Sequence, residues 1–328
     1  MIFNFGPKLY YLWINTWYLI SQNPVFFLHA VSCILYPESR IPYPVSCIPN
    51  PVSCILMKQK IFFRWLKIII IIYCSIGIAL SYLQEKFLFH PEKLSADYVY
   101  HFNVPFEEIH IPFNETDTIN MVKFFPKDSV RRGVVLYFHG NKENIERYAK
   151  FADNFTKHGY EVWMEDYPGF GKSTGERTEK KLYEQALQIR KMAAGRYGKD
   201  SILVYGKSFG TGIAAYVASE YDGRRLILET PYYSIPALFS CYAPIYPTAY
   251  MATYKIRTYK FLEDVHCPVT IFHGTDDGVI PYRCAAKLKN VLKPTDQFVT
   301  IENGTHQNLN DFPLFHQKLD SLLNLGQH

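Results

Sequence analysis

The sequence predicts an α/β fold: a doubly wound, mostly parallel sheet preceded by one transmembrane helix. Three observations carry that expectation. Strand-like and helix-like segments alternate from about residue 90 onward, a glycine-flanked serine stands between a strand and a helix at Gly206–Gly210, and a nearly uninterrupted apolar run fills Ile68–Leu83. The composition agrees, since 48% hydrophobic and 20% charged residues over 328 positions exclude a disordered or collagen-like chain. The 35 Lys and Arg against 30 Asp and Glu give a net charge of +5, but the basic residues are dispersed, so no nucleic-acid partner is implied.

The elements follow in chain order. In residues 1–56 only Lys8, Glu38 and Arg40 are charged, and from Val31 the text repeats every seven residues as VSCILYP, ESRIPYP, VSCIPNP and VSCILMK. Pro37, Pro44 and Pro51 recur at one phase of that repeat, which excludes a coiled coil because each removes a helical hydrogen bond. Residues 1–56 therefore read as a doubtful leader: an extended linker, or translated tandem-repeat DNA ahead of Met57 as initiator. Residues 57–83 read as the membrane anchor. A basic flank of Lys58, Lys60, Arg64 and Lys67 precedes the apolar run 68–83, and the positive-inside rule then places the C-terminal domain outside the cytoplasm. No A-x-A-like cleavage site follows, which favours an uncleaved signal-anchor.

Residues 84–328 read as the catalytic domain. Glu108–Ile111 and Ile119–Phe125 predict an opening hairpin, and Gly133–Phe138, Glu161–Glu165, Ser201–Tyr205, Arg225–Glu229, Val269–Phe272 and Gln297–Ile301 predict the remaining strands. Helices are expected over Asn144–His158, Lys180–Tyr197, Phe209–Tyr221 and Tyr282–Leu292. Two lookalikes of a phosphate-binding loop fail on their first glycine, which falls at Asp166 for Gly169–Thr174 and at Ser201 for Gly206-Lys207-Ser208. The stretch Tyr167–Gly175 reads instead as a glycine-rich turn.

Gly206-Lys207-Ser208-Phe209-Gly210 is a G-x-S-x-G pattern between the strand SILVY and the helix FGTGIAAYV. A tight strand-to-helix turn lifts such a serine above the sheet, and the glycines leave room for close backbone packing. Ser208 is the candidate nucleophile. A serine needs a base and an orienting acid, which in this arrangement follow in the order Asp, His. Asp277 in HGTDDGVIP is the candidate acid, preferred over Asp276 by its register with Gly274 and Pro281, and His306 on the loop after the last strand is the candidate base. The backbone N–H groups of Asn141, after the strand ending Phe138-His139-Gly140, and of Phe209 are the candidate oxyanion donors. His139 reads as structural, and no metal or organic cofactor is implied.

With these residues the chain resembles the α/β-hydrolase superfamily, and specifically its membrane-anchored Bem46-like and ABHD13/ABHD17-like serine hydrolases. The resemblance rests on Tyr82–Pro91, His139-Gly140-Asn141, Tyr167–Ser173, the turn at Ser208, Pro268–Pro281 and Gly304-Thr305-His306, and it covers about residues 57–328. It implies the triad Ser208, Asp277 and His306, and a small-molecule or lipid-like acyl substrate cleaved at an ester or thioester. A serine peptidase of the same fold, or an inactive membrane-tethered binding protein, are the alternatives.

Residues 230–268 are too short for a large independent cap and are crowded with aromatics: Tyr232, Tyr233, Phe239, Tyr242, Tyr246, Tyr250 and Tyr254. They are candidates to line an acyl pocket, or else to cover the sheet edge. Cys241, Cys267 and Cys284 are odd in number and contain no C-x-x-C pair, which argues against a disulfide framework or a metal site. The sequons at Asn114 and Asn303 read as coincidental, the second because a glycan there would obstruct His306.

Overall fold

A computed structural model describes residues 51–128 and 131–324. In chain order the elements are α1 (Pro51–Leu88), β1 (His90–Pro91), β2 (Phe106–Pro112), β3 (Thr118–Phe124), β4 (Gly133–Phe138), β5 (Lys142–Glu143), α2 (Ile145–Ala149), α3 (Asp153–Thr156), β6 (Tyr160–Glu165) and α4 (Glu179–Ala194). There follow β7 (Ile202–Lys207), α5 (Gly210–Glu220), β8 (Arg225–Glu229), α6 (Ile235–Tyr242), α7 (Thr248–Met251), α8 (Thr258–Glu263), β9 (Val269–Gly274), α9 (Tyr282–Ala285), β10 (Gln297–Ile301) and α10 (Pro313–Asn324).

The chain divides between Leu83 and Gln84. On the N-terminal side of that division α1 contributes most of a stretch, Gln59–Leu88, that is long and apolar enough to cross a bilayer. The helix begins at Pro51, so the last residues of the expected leader are helical rather than extended. Proline is tolerated there because the first N–H of a helix has no intrahelical acceptor. The rest of the leader, including its first repeats, lies outside the described residues.

From Gln84 onward the chain builds an eight-stranded sheet in the order β10-β9-β8-β7-β4-β6-β3-β2. The pairings of β4 with β6 and β7, of β7 with β8, of β8 with β9 and of β9 with β10 are all parallel. Only the β2–β3 hairpin and its junction with β6 run antiparallel. Every residue of β4 and β7 is buried, as a central parallel strand covered on both faces requires. Alternate residues face opposite ways. Val134, Leu136 and Phe138 join one core with Leu182 and Ile189 of α4 and Ile213 of α5, whereas Val135 and Tyr137 join the other with Ile145, Phe155 and, from α10, Phe315 and Leu319. Because β6 lies on one side of β4 and β7 on the other, the chain reverses its winding at the C-terminal ends of β4 and β7, where α/β sheets open a crevice.

Several expected helices are shorter than their patterns. The one over 144–158 breaks into α2 and α3 because Phe151 and Ala152 turn back to Tyr148 and Ala149 with tight three-residue hydrogen bonds. The one over 282–292 ends at Ala285 and continues as a 3-10 helix. The stretch Tyr167–Gly175 is the expected turn, with Gly169, Gly171 and Gly175 all at positive φ. A side chain on Gly171 would come within 2.0 Å of the Asp166 carboxylate, so only glycine fits.

The reading of the cysteines needs correction. Cys241 of α6 and Cys284 of α9 form a disulfide, with Cα atoms 7.0 Å apart, while Cys267, like Cys74 of α1, is free. Counting failed because an odd set excludes only complete pairing. Burial pushes the Cys267 thiol up to about 11, which leaves it a protonated, unreactive group.

Candidate active site

The turn at Ser208 is built from its two glycines. A Cβ on Gly206 would lie 2.6 Å from the Gly210 carbonyl and 2.7 Å from Ala214 Cβ, and one on Gly210 would lie 2.1 Å from the Phe138 carbonyl oxygen. Strand, turn and helix are thus pressed together with no space for side chains. Ser208 itself adopts φ 53°, the left-handed region that non-glycine residues seldom occupy. Its N–H donates to the Glu229 carbonyl at 2.8 Å, and its carbonyl accepts from the Thr211 N–H at 3.0 Å and the Thr211 hydroxyl at 2.6 Å. These three bonds hold the strained residue in place.

The chain brings the other two candidates to that hydroxyl. Ser208 Oγ donates to His306 Nε2 at 2.7 Å, and His306 Nδ1 donates to Asp277 Oδ2 at 2.8 Å. Asp277 Oδ1 accepts the N–H groups of Val279 and Ile280 at 2.8 and 2.7 Å, which fixes the carboxylate plane. Burial by itself would raise the Asp277 carboxyl. The hydrogen bond and charge of His306, with the Ile280 N–H and His273, outweigh it and hold Asp277 below the usual carboxylate range. Gly274, at the end of β9, lies so close to Gly304 that a Cβ would meet its carbonyl at 2.0 Å, and this contact sets the acid loop beside the histidine loop.

Phe209 directly follows the serine, and Asn141 follows Gly140, on which a Cβ would lie 3.5 Å from Ser208 Cβ. Asn141 lines the same cavity as Ser208 and His306, its side-chain amide donates to the Leu88 carbonyl, and its own carbonyl accepts from the His90 N–H at 2.9 Å. Phe209 precedes the first turn of α5, where the leading N–H groups of a helix have no intrahelical partner. His139 is fully buried, its Nδ1 against the Gly140 carbonyl at 2.7 Å and its ring stacked on Tyr148 and beside Tyr167. It fills space between aromatic rings.

The cavity, of about 270 Å3, is where the structure departs from expectation. None of the aromatics of residues 230–268 lines it; its apolar wall is Phe87, Tyr148, Phe151 and Val279. The insert aromatics serve other contacts. Tyr232 is buried with its hydroxyl on the Phe209 carbonyl at 3.0 Å, Tyr254 donates to the Arg177 carbonyl at 2.9 Å, and Tyr233 stacks on Tyr259 with ring centres 4.3 Å apart. Tyr242 is exposed, and its hydroxyl reaches the carbonyls of Gly278 and Val279 beside the acid loop.

Phe87 and Phe89, just past the apolar run, lie in the Tyr82–Pro91 stretch that carried the resemblance but were given no place at the site. Phe89 is buried with its ring 4.9 Å from that of Phe209, and the Arg177 guanidinium lies 4.1 Å above it. Lys207, beside the nucleophile, is buried in an ion pair with Glu229, which also accepts the Tyr205 hydroxyl. A cation preceding Ser208 was a visible signal; its partner on β8 was not.

The serine aminopeptidase, S33, family model matches residues 129–259. Lysophosphatidylserine lipase ABHD12 of Rattus norvegicus is 28% identical over 189 residues, covering 50% of this chain and 46% of that protein. The chain thus spans about half the length of the curated relatives it matches. Among solved structures, the Pyrococcus furiosus esterase PF2001 superimposes with a TM-score of 0.56 at 15% identity, covering 72% of this chain and 97% of that one. The alpha/beta hydrolase GrgF from Penicillium sp. sh18 gives a TM-score of 0.52 at 14% identity, covering 67% and 98%.

Proposed function

We propose that this chain, whose fold is that of its α/β-hydrolase neighbours, is a membrane-anchored serine hydrolase cleaving carboxylic esters or acyl-thioesters through an acyl-enzyme. The observation that carries this reading is the unbroken hydrogen-bond chain from Ser208 through His306 to Asp277 at the wall of a cavity. His306 takes the proton as Ser208 Oγ attacks the carbonyl carbon. Asp277, held ionised, keeps the imidazole in the tautomer whose Nε2 accepts, and stabilises the imidazolium that forms. The N–H groups of Asn141 and Phe209 hold the oxyanion; His306 returns the proton to the leaving alcohol or thiol, and water releases the acyl group by the same route. The names of the lipase relative and of the esterase neighbour favour ester over amide, whereas the family model's description keeps a serine peptidase as the second reading.

Residues 57–83 act on this reading as an anchor, through the apolar run 68–83, and 84–328 as the catalytic domain. The basic flank ahead of the apolar run, together with the Cys241–Cys284 disulfide, supports a domain on the non-cytoplasmic side, where disulfides persist.

The test is fluorophosphonate labelling of the full chain in detergent, followed by turnover of p-nitrophenyl esters, acyl-thioesters and aminoacyl amides. Wild type should label at Ser208, the Ser208→Ala variant should not, and turnover should fall by about 10³-fold or more. Equal labelling of the two proteins would sink the enzyme reading in favour of a tethered binding protein, and amide turnover above ester turnover would favour the peptidase. A C-terminal reporter active only outside the cytoplasm checks the orientation.

A further inference from the structure

The wall of the cavity beside Ser208 carries four cations, Lys142, Arg147, Lys150 and Lys207, and none of its lining residues is a carboxylic acid. The four are not equivalent. Lys207 is buried and neutralised by Glu229, so its charge is already used inside the protein. Arg147 pairs through one nitrogen with Glu143 and reaches the Gln307 side chain with the other at 3.5 Å. Lys142 and Lys150 are exposed, and among the described residues neither has a carboxylate within ion-pair distance. All three outer cations follow Asn141 in the chain, so they sit on the segment that would hold the substrate carbonyl. Phe87, Tyr148, Phe151 and Val279 supply the apolar part of the same lining.

From this cation-rich lining without a carboxylic acid we infer that Lys142, Arg147 and Lys150 are specificity-determining residues that select substrates carrying a phosphate group. The inference rests on the serine-hydrolase reading and deepens it. A hydrocarbon acyl chain cannot supply the charge, so the phosphate belongs to the part that leaves: the alcohol of a phosphate-bearing glycerol ester, or a phosphate-bearing thiol in a thioester. The two lysines supply mobile point charges, and Arg147, oriented by Glu143 and Gln307, adds the guanidinium N–H groups that those two contacts leave over. Lys142 and Lys150, which have no ion-pair partner among the described residues, also concentrate an anionic substrate before it docks. The bond cleaved is still the acyl–oxygen or acyl–sulfur bond, and the phosphate takes no part in it.

The test compares kcat/KM of the full chain in neutral detergent for three substrates of equal acyl length: 1-acylglycerol 3-phosphate, acyl-coenzyme A and uncharged 1-acylglycerol. Wild type should prefer at least one phosphate-bearing substrate over the uncharged one by about tenfold or more. A preference confined to the glycerol phosphate identifies a lipid headgroup as the source of the charge; one shared with the coenzyme thioester identifies the phosphate itself. The exposed double variant Lys142→Glu/Lys150→Glu should lower that preference by about tenfold, mainly through a higher KM, and added salt should lower it in wild type. A wild-type ratio near one, or a ratio that survives the double variant, overturns the inference while fluorophosphonate labelling of Ser208 leaves the hydrolase reading standing. Loss of labelling and of all three activities in wild type overturns both.

Discussion

The turn at Ser208 and the insert at residues 230–268 lie at successive strand ends of one sheet, yet they are specified in opposite ways. The turn is encoded within a few residues: Gly206 and Gly210 let strand and helix touch, and Thr211 holds the Ser208 carbonyl from three positions away. The insert is a series of short helices held by distant chain. Cys241 is bonded to Cys284, the Tyr242 hydroxyl reaches Gly278 and Val279, Tyr254 reaches Arg177, and the Gln84 side chain binds the backbone at Met251 and Thr253. Chemistry that needs one strained residue can be written locally; a surface that borders the acid loop has to be assembled from afar.

That contrast can be broken at either end. The largest effect is expected from Gly210→Ala, because the added carbon meets the Phe138 carbonyl oxygen and the backbone on both sides must move. A displacement of about an ångström at a nucleophile costs on the order of 10²-fold in kcat/KM, and ester turnover by the folded fraction would measure it. An undiminished rate would show that the turn does not depend on its glycines.

The sheet that supports the turn carries an electrostatic cost of its own. Glu165, at the end of β6, is fully buried with neither carboxylate oxygen hydrogen-bonded among the described residues, and burial, with the Asp166 charge, raises its carboxyl to about 8. Because the folded state holds this proton more tightly than the unfolded one, the protein should lose stability as pH rises from about 4.5 through about 8. Glu165→Gln removes the titration. Its melting temperature should match wild type at the acid end of that window and exceed it by several degrees at the alkaline end; parallel curves would refute the assignment.

A smaller effect is expected at the insert. Replacing Cys241 and Cys284 together by Ser should lower stability by about 2–4 kcal/mol, read by denaturant unfolding, while Ser208 still labels. If labelling is lost with the disulfide while the fold is kept, the insert is part of the machinery and the contrast with the turn disappears.

How much was legible in the sequence follows the same division. The strands from Gly133–Phe138 to Gln297–Ile301 were readable because buried parallel strands are short apolar runs between turn residues. Ser208, Asp277 and His306 were readable because each ends or follows a strand. The helices of the insert were not, since proline and tyrosine obscure their periodicity, and the disulfide joins residues 43 apart without a spacing signature. The cations around the cavity were visible only as ordinary surface residues, because nothing in the text brings Lys142 and Lys150 to the same wall as His306.

Phe87, Leu88, Phe89 and His90 have a consequence for where the enzyme starts. Phe87 faces the cavity, the Leu88 carbonyl holds the Asn141 side chain, Phe89 packs on Phe209, and the His90 N–H holds the Asn141 carbonyl. The apolar stretch does not end until Leu88, so its last residues belong to the unit that carries the site. A shortened chain should therefore keep its activity only if it begins at or before Gln84; trimming a few residues further would remove part of the cavity lining.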